Sequence, residues 1–390
     1  MHPMKIFPYF YKASETFDED DITITTLVTP NRFEVLRKLA ARYEGPLSVT
    51  VHIPLPPMSP GKSSSPTLHN SLLALHALVA NSPGLAKRAD IHLVISPFPR
   101  AFNAWRNIAR LLARTTYMLL LDVDFAVCTD WRASVRALLR DGEGSSSVAR
   151  RVREGSAALV LPAFEYVKQA EGRNQDAFPR DKHALLDLVR ANRVAPFHAS
   201  FSAGHNSTDY RRFYAAKPGV IYKVTQYHPS YEPYVVVRRD AGGWCDERFT
   251  GYGGNKAACL FDMYLSGVSF YVLSDHFLVH QSHVYEEEAR RSERKHNRRI
   301  QSDFKEEACL RYLKGFSDQG ILNTTRARNA QEECKKIKGI GKIVMQVTDC
   351  RPKHLRESLS YGSFWMAQRM RKERVQQRSV DEECRHACYK

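Results

Sequence analysis

Residues 117–125 read Tyr-Met-Leu-Leu-Leu-Asp-Val-Asp-Phe, an apolar run ending in two carboxylates one residue apart. If the run is a strand, its side chains alternate, and Asp122 and Asp124 emerge on one face where the apolar stretch stops. Like charges that close repel unless a cation or a proton lies between them. Oxygen ligands of this kind suit Mg²⁺ or Mn²⁺, with substrate phosphates completing the shell. Such a site belongs at the carboxyl edge of an open α/β sheet, where ligands bind. A solvated strand end with two surface acids has the same sequence, so the surrounding elements must decide.

Those elements alternate. Residues 22–28 are rich in β-branched side chains and read as a strand. Phe33, Leu36, Leu39 and Ala40 recur at helical spacing within residues 30–43. Strands over 47–53 and 91–95 and helices over 68–79 and 101–113 follow, with a Pro- and Ser-dense loop at 54–66. Strand and helix in turn predict a parallel sheet with right-handed crossovers, a nucleotide-binding half of an α/β domain. Further strands are expected at 157–162, 234–237 and 270–279, and a helix at 181–193. Residues 196–231 are polar and aromatic, with His198, His205, Asn206, Tyr210, Arg211 and His228. That composition suits a hydroxyl-rich ligand as well as it suits an irregular surface. After His283 the chain turns to charged helix, clearest at 286–307 and 331–338.

The chain has 390 residues and 43% hydrophobic content, which excludes a disordered protein and allows one large domain or two ordinary ones. No apolar run approaches the roughly 18 to 20 residues a membrane helix needs. The first 30 residues carry no signal-peptide core. The net charge is +16, and residues 290–390 carry 25 Lys and Arg against 13 Asp and Glu. A basic tail attracts polyanions, although a solvated helical face accounts for it equally simply. The basic residues have no aromatic stacking cluster among them, so no nucleic acid is expected as a partner. The eight cysteines form no Cys-x-x-Cys pair, which argues against zinc. Five of them, Cys309, Cys334, Cys350, Cys384 and Cys388, fit a small disulfide cluster if the chain enters the secretory route. Asn206 and Asn323 stand in glycosylation sequons.

Several blocks in order resemble glycosyltransferase family 49, the LARGE-type and β-1,4-glucuronyltransferase group. They are residues 119–125 (Leu-Leu-Leu-Asp-Val-Asp-Phe), 161–165 (Leu-Pro-Ala-Phe-Glu), 204–210 (Gly-His-Asn-Ser-Thr-Asp-Tyr) and 231–240 (Tyr-Glu-Pro-Tyr-Val-Val-Val-Arg-Arg-Asp). Residues 245–256 (Cys-Asp-Glu-Arg-Phe-Thr-Gly-Tyr-Gly-Gly-Asn-Lys) and 272–280 (Val-Leu-Ser-Asp-His-Phe-Leu-Val-His) continue the series, and His296, Asn297, Phe304 and Lys305 echo its closing helix. The resemblance implies a GT-A-type α/β fold: a mixed, mainly parallel sheet flanked by helices, with a helical basic C-terminal extension. With the change to charged helix after His283, the chain is expected to divide into an N-terminal segment (1–21), a glycosyltransferase domain (22–285) and a charged closing segment with a Cys-containing tail (286–390). The resemblance further implies a UDP-sugar donor, Mn²⁺ with Mg²⁺ as the alternative ion, a glycan or glycoprotein acceptor, and inverting transfer of glucuronic acid onto xylose. A Golgi-lumenal location is implied as well, the membrane being reached only through an anchor that this sequence does not contain.

Each piece has a chemical reason. The leaving diphosphate needs neutralising by a bound divalent cation. Asp122 and Asp124 are the expected ligands, with His280 completing the shell and His283 a weaker candidate. An inverting transfer needs a carboxylate base. Asp246 is the first choice and Glu247 the second, each with a structural role as its alternative. Gly253, in a turn that lets backbone approach a ligand, is expected at the donor together with Asn255, Lys256 and Glu165. Lys256 and Arg248 are candidates for a donor carboxylate or phosphate.

Two other classes compete. Haloacid-dehalogenase phosphatases also open on an apolar run and Asp-x-Asp, the first Asp acting as nucleophile. That fold puts the motif near the N-terminus, whereas about 120 residues precede it here, and no later Asp-Asp pair follows. A non-catalytic glycan or polyanion binder is the second.

Overall fold

The structure is a computed structural model describing residues 4–55, 66–140, 147–283 and 287–340. The N-terminal part runs β1 (Lys5–Tyr11), β2 (Ile22–Val28), α1 (Phe33–Arg42), β3 (Leu47–Pro54), α2 (Pro66–Ala80), α3 (Pro83–Arg88), β4 (Ala89–Ser96), α4 (Phe102–Leu112) and β5 (Tyr117–Leu120). Next come β6 (Phe125–Val127), α5 (Trp131–Arg140), α6 (Ser147–Arg153), β7 (Ala157–Leu161), β8 (Ala163–Tyr166), α7 (Lys182–Arg190), β9 (Val194–Pro196), α8 (Tyr210–Ala215) and β10 (Ile221–Lys223). The remainder is β11 (Tyr234–Arg238), α9 (Asn255–Leu265), β12 (Ser269–Leu273), β13 (Leu278–His280), α10 (Glu287–Asp318) and α11 (Arg328–Cys334).

Nine strands form one sheet in the order β1-β4-β3-β2-β5-β11-β7-β12-β10. Its longest parallel run is the contiguous set β4, β3, β2 and β5, and β7 and β12 form a second parallel pair. These strands are buried almost throughout, as expected where both faces of a parallel sheet are covered. Beyond β5 the sheet becomes mixed, because β11 enters antiparallel between β5 and β7. Strand β1, inside the segment read as an N-terminal lead-in, is an antiparallel edge strand on β4. The run expected as one strand over 270–279 is two, since β12 and β13 belong to different sheets.

The second sheet, β6-β13-β8-β9, explains that break. Three strands of the large sheet end and restart in the small one after a short gap: β5 into β6, β7 into β8, and β12 into β13. The chain therefore crosses between sheets along the carboxyl edges of β5 and β7. Apolar alternation locks this layout. On β11, Tyr234 and Val236 join one core, while Val235 and Val237 join the core on the other face.

By contacts, the chain divides into Met1–Tyr264 with Val268–Ser302, and Leu265–Gly267 with Asp303–Lys390. In the second unit, a Cys309–Cys334 disulfide ties α10 to α11. Cys350, Cys384 and Cys388, with the basic tail after residue 340, lie outside the described residues. A second disulfide, Cys245–Cys259, lies in the first unit and joins the segment before the glycine turn to α9.

Candidate active site

The two carboxylates do not share a strand face. Strand β5 ends at Leu120, and Asp122 to Asp124 form the turn into β6, closed by the Phe125 N–H donating to the Asp122 carbonyl at 3.1 Å. Strand alternation no longer applies in a turn, so the two side chains reach different surroundings.

Asp122 stands in a cage of donors. The Lys256 ammonium donates to Oδ2 at 3.0 Å, the Tyr234 hydroxyl to the same oxygen at 2.9 Å, and the Arg106 guanidinium to Oδ1 at 3.1 Å. Lys256 also donates to the Tyr234 hydroxyl at 2.7 Å and lies 3.9 Å from the centre of its ring. Burial, the largest influence on the Asp122 carboxyl, favours the neutral acid. Lys256 and Arg106 outweigh it and hold the group well below the usual carboxylate range. Arg106 and Lys256 are themselves buried, and Asp122 is their counter-charge.

Asp124 faces elsewhere. Its carboxylate lies within 4.8 Å of ligand atoms on His280 and His283, one carboxylate and two imidazoles converging. Arg32 pairs with Oδ1 at 3.1 Å, and His283 Nε2 lies 3.4 Å from Oδ2. The sheet sets this meeting. His280 ends β13 in register with Phe125 on one side and Glu165 on the other, and the Gln281 N–H donates to the Asp124 carbonyl at 2.7 Å. Burial pushes the His280 imidazole down to about 3, so it is neutral with a lone pair to give. The donor set fits a divalent cation that accepts both nitrogen and oxygen. Asp122, expected from the sequence as a ligand, is not in this group; its oxygens are taken by cations, and His283 stands where it was expected.

The other expected residues divide. Asp246 is bound through both carboxylate oxygens by Arg248, with Arg248 Nη2 at 2.6 Å. Glu247 accepts from Asn107 at 2.8 Å. Glu165 accepts the His198 backbone N–H at 2.8 Å. Lys256, expected to face a donor, is turned to Asp122 and the Tyr234 hydroxyl instead, the carboxylate neutralising its charge in a buried setting. Asn255 accepts from Arg106 at 2.5 Å and donates to the Gly251 carbonyl at 2.6 Å, coupling the cage to the glycine turn. That turn does not open onto a ligand at Gly253. There φ is +101°, and a Cβ would meet Arg294 of α10 at 2.8 Å; at Gly251 it would meet the Glu293 carboxylate. The glycines admit α10, whose Glu293 accepts the Tyr252 N–H at 2.9 Å and whose Asn297 donates to the Thr250 and Tyr252 carbonyls.

Four participants were not singled out by sequence: Arg32, Arg106, Tyr234 and Glu232. Tyr234 and Glu232 lie in the 231–240 block, where two polar side chains flank a proline just before an apolar strand. That interruption was the available signal. Arg32 and Arg106 look like ordinary helical-face charges and gave none. His205 is also buried here, and Tyr210 and Tyr231 are scaffold: their hydroxyls bond Ala163 and Thr208.

Fold and site together define an α/β protein with a candidate cation site where the carboxyl edges of its strands pass between two sheets. Residues 96–313 match the family described as "Glycosyl-transferase for dystroglycan". The chain belongs to this family, glycosyltransferase family 49, and its architecture is of the GT-A type. Similar curated proteins include the xylosyl- and glucuronyltransferase LARGE2 of Mus musculus, 32% identical over 68% of this chain and 34% of its own length. LARGE2 of Homo sapiens is 33% identical over 68% of this chain and 33% of its own length. LARGE1 of Danio rerio is 26% identical over 73% and 34%. The chain thus spans about a third of the length of the curated relatives it matches. Among solved structures, GalNAc-T7 with UDP, GalNAc and Mn²⁺ aligns at a TM-score of 0.37 and 12% identity over 67% of this chain and 44% of that one. S. aureus TarS residues 1–349 align at 0.35 and 12%, over 82% and 74%.

Proposed function

We propose that the chain is a Mn²⁺-dependent, inverting glycosyltransferase that moves glucuronic acid from UDP to a xyloside-type acceptor in glycoprotein glycan synthesis. The single observation that carries the reading is the convergence of Asp124, His280 and His283 at the carboxyl edge of a family 49 fold. Those three residues hold the cation in this reading. Imidazole ligands favour Mn²⁺ over Mg²⁺. When bound, the ion supplies Lewis-acid neutralisation of the departing diphosphate. Arg32 adds positive charge beside Asp124, of the kind that a diphosphate pairs with. Arg106, Lys256 and Tyr234 fix the turn that carries Asp124. They do so by binding Asp122 two residues earlier, which orients Asp124.

The glucuronic acid donor is supported by the names of the curated relatives, which are xylosyl- and glucuronyltransferases, and the xyloside-type acceptor follows from the family resemblance. A lumenal location is supported by the two disulfides, which persist in oxidising compartments. Among the described residues no helix is long and apolar enough to cross a membrane. A panel of UDP-sugars assayed with Mn²⁺, with and without a β-xyloside, tests the reading. Transfer from UDP-glucuronic acid is expected. Transfer from another UDP-sugar alone replaces the donor, and glycan binding without turnover of any donor favours the non-catalytic reading.

A further inference from the structure

The site needs a base, and the carboxylates expected to serve are occupied. Asp246 has both oxygens on Arg248, and Glu247 is held by Asn107. Asp122 is the counter-charge of Lys256 and Arg106, Asp124 belongs with the two histidines, and Glu165, on the small sheet, is turned to two successive backbone N–H groups, those of His198 and Ala199. One further carboxylate reaches this edge. Strand β11 is antiparallel between β5 and β7, so its N-terminal end lies where those strands terminate. Val235 pairs with Leu120 and Tyr234 with Leu161. Glu232, two residues upstream of Tyr234, therefore arrives beside the crossing from which Asp122 and Asp124 emerge.

We infer that Glu232 is the carboxylate that takes the proton from the acceptor hydroxyl. The inference rests on the transferase reading above. The residue is held at both ends. Its backbone N–H donates to the Gly204 carbonyl at 2.8 Å, and its carboxyl faces the backbone N–H of Ala257 in the first turn of α9. Tyr231 beside it and Tyr234 two residues on are fully buried, which fixes the segment, while Glu232 is half-buried. Among the described residues it forms no ion pair, because Lys256 is turned to Asp122. Burial is the largest influence on its carboxyl and raises its proton affinity; Lys256 and Arg106 pull the other way without cancelling the effect. A carboxylate raised toward neutrality is a better base than one locked to a guanidinium.

The step balances. The acceptor O–H bond breaks and its proton passes to Glu232. The freed oxygen pair bonds to the anomeric carbon from the face opposite the diphosphate. The anomeric carbon–phosphate oxygen bond breaks, and its electron pair leaves on UDP.

Glu232→Gln keeps an acceptor for the Ala257 N–H, so the α9 contact survives while basicity is lost. We expect kcat for transfer to fall about 100- to 10,000-fold, with the donor KM within about threefold and the acid limb of the pH–rate profile gone. Azide needs no deprotonation, so Glu232→Ala supplied with azide should form glycosyl azide. Glu232→Asp, with a shorter carboxylate, should keep measurable transfer. Transfer by Glu232→Gln within tenfold of the unsubstituted protein overturns the assignment. So does selective, azide-rescued loss in Glu165→Gln or Asp246→Asn instead. If the unsubstituted protein turns over no donor in the panel, the transferase reading itself falls, and the assignment with it.

Discussion

Asp122 and Asp124 are the same residue type one position apart, yet they occupy opposite environments. The first is surrounded by Lys256, Arg106 and Tyr234, the second by His280, His283 and Arg32. One is satisfied by the protein's own cations. The other sits with neutral imidazole that can share a metal. A dyad that reads as one ligand pair in sequence is, in the fold, a carboxylate neutralised by buried cations beside one that meets two imidazoles. The turn after Leu120 separates them, since it abandons strand alternation where the chain leaves one sheet for the other.

The largest expected break in this comparison is Asp124→Asn. Removing a charged ligand costs several kcal/mol of transition-state stabilisation, so transfer should drop about 1,000-fold. Mn²⁺ affinity, measured by titration, should fall with it, while the metal-free thermal midpoint stays within a few degrees of the unsubstituted protein. Equal activity would remove Asp124 from the metal site.

Asp122→Asn should do the reverse, striking stability first. It leaves Lys256 and Arg106 buried without a counter-charge. The Asp122 side chain is 35% exposed, so solvent screens the pair and the cost lies near the low end, about 2 kcal/mol by denaturant unfolding at pH 7. The sign in pH follows from the depressed carboxyl. The folded state holds fewer protons than the unfolded one, so the stabilisation is present above the unfolded value of about 4 and is lost as pH falls below it. The gap between the two proteins should therefore close below about pH 4. A gap that widens in acid would refute the caged-ion account.

The smallest expected effect is that of Arg32→Ala. Arg32 competes with a cation for Asp124 from a partly exposed position. Its loss should tighten Mn²⁺ binding in nucleotide-free protein by about fivefold, the equivalent of ~1 kcal/mol. Unchanged or weaker Mn²⁺ binding would mean that Arg32 does not oppose the ion.

Much of the scaffold was legible. Residues 22–28 coincide with β2, and the helices read at 68–79 and 101–113 match α2 and α4 within a few residues. These are continuous β-branched runs or long helical periodicities, so local pattern suffices. Three-residue strands such as β6, β9 and β13 carry no period and are held by register with neighbours from distant sequence. The glycine turn was legible as a turn. What fills the space left by its absent side chains, Glu293 and Arg294, was not, because α10 lies some 40 residues further along.

The sequence by itself determined the α/β alternation, the family, and the presence of two carboxylates and a histidine at strand ends. Those properties reside in local pattern and motif order. Only the tertiary structure decided which carboxylate meets the histidines, which is neutralised by buried cations, and which reaches the edge just before β11 with no ion pair among the described residues. The physical reason is that the role of a carboxylate is set by the charges and dipoles within a few ångströms of it. Around Asp122 those come from α4, β11 and α9, and around Asp124 from the segment preceding α1 and from the end of β13.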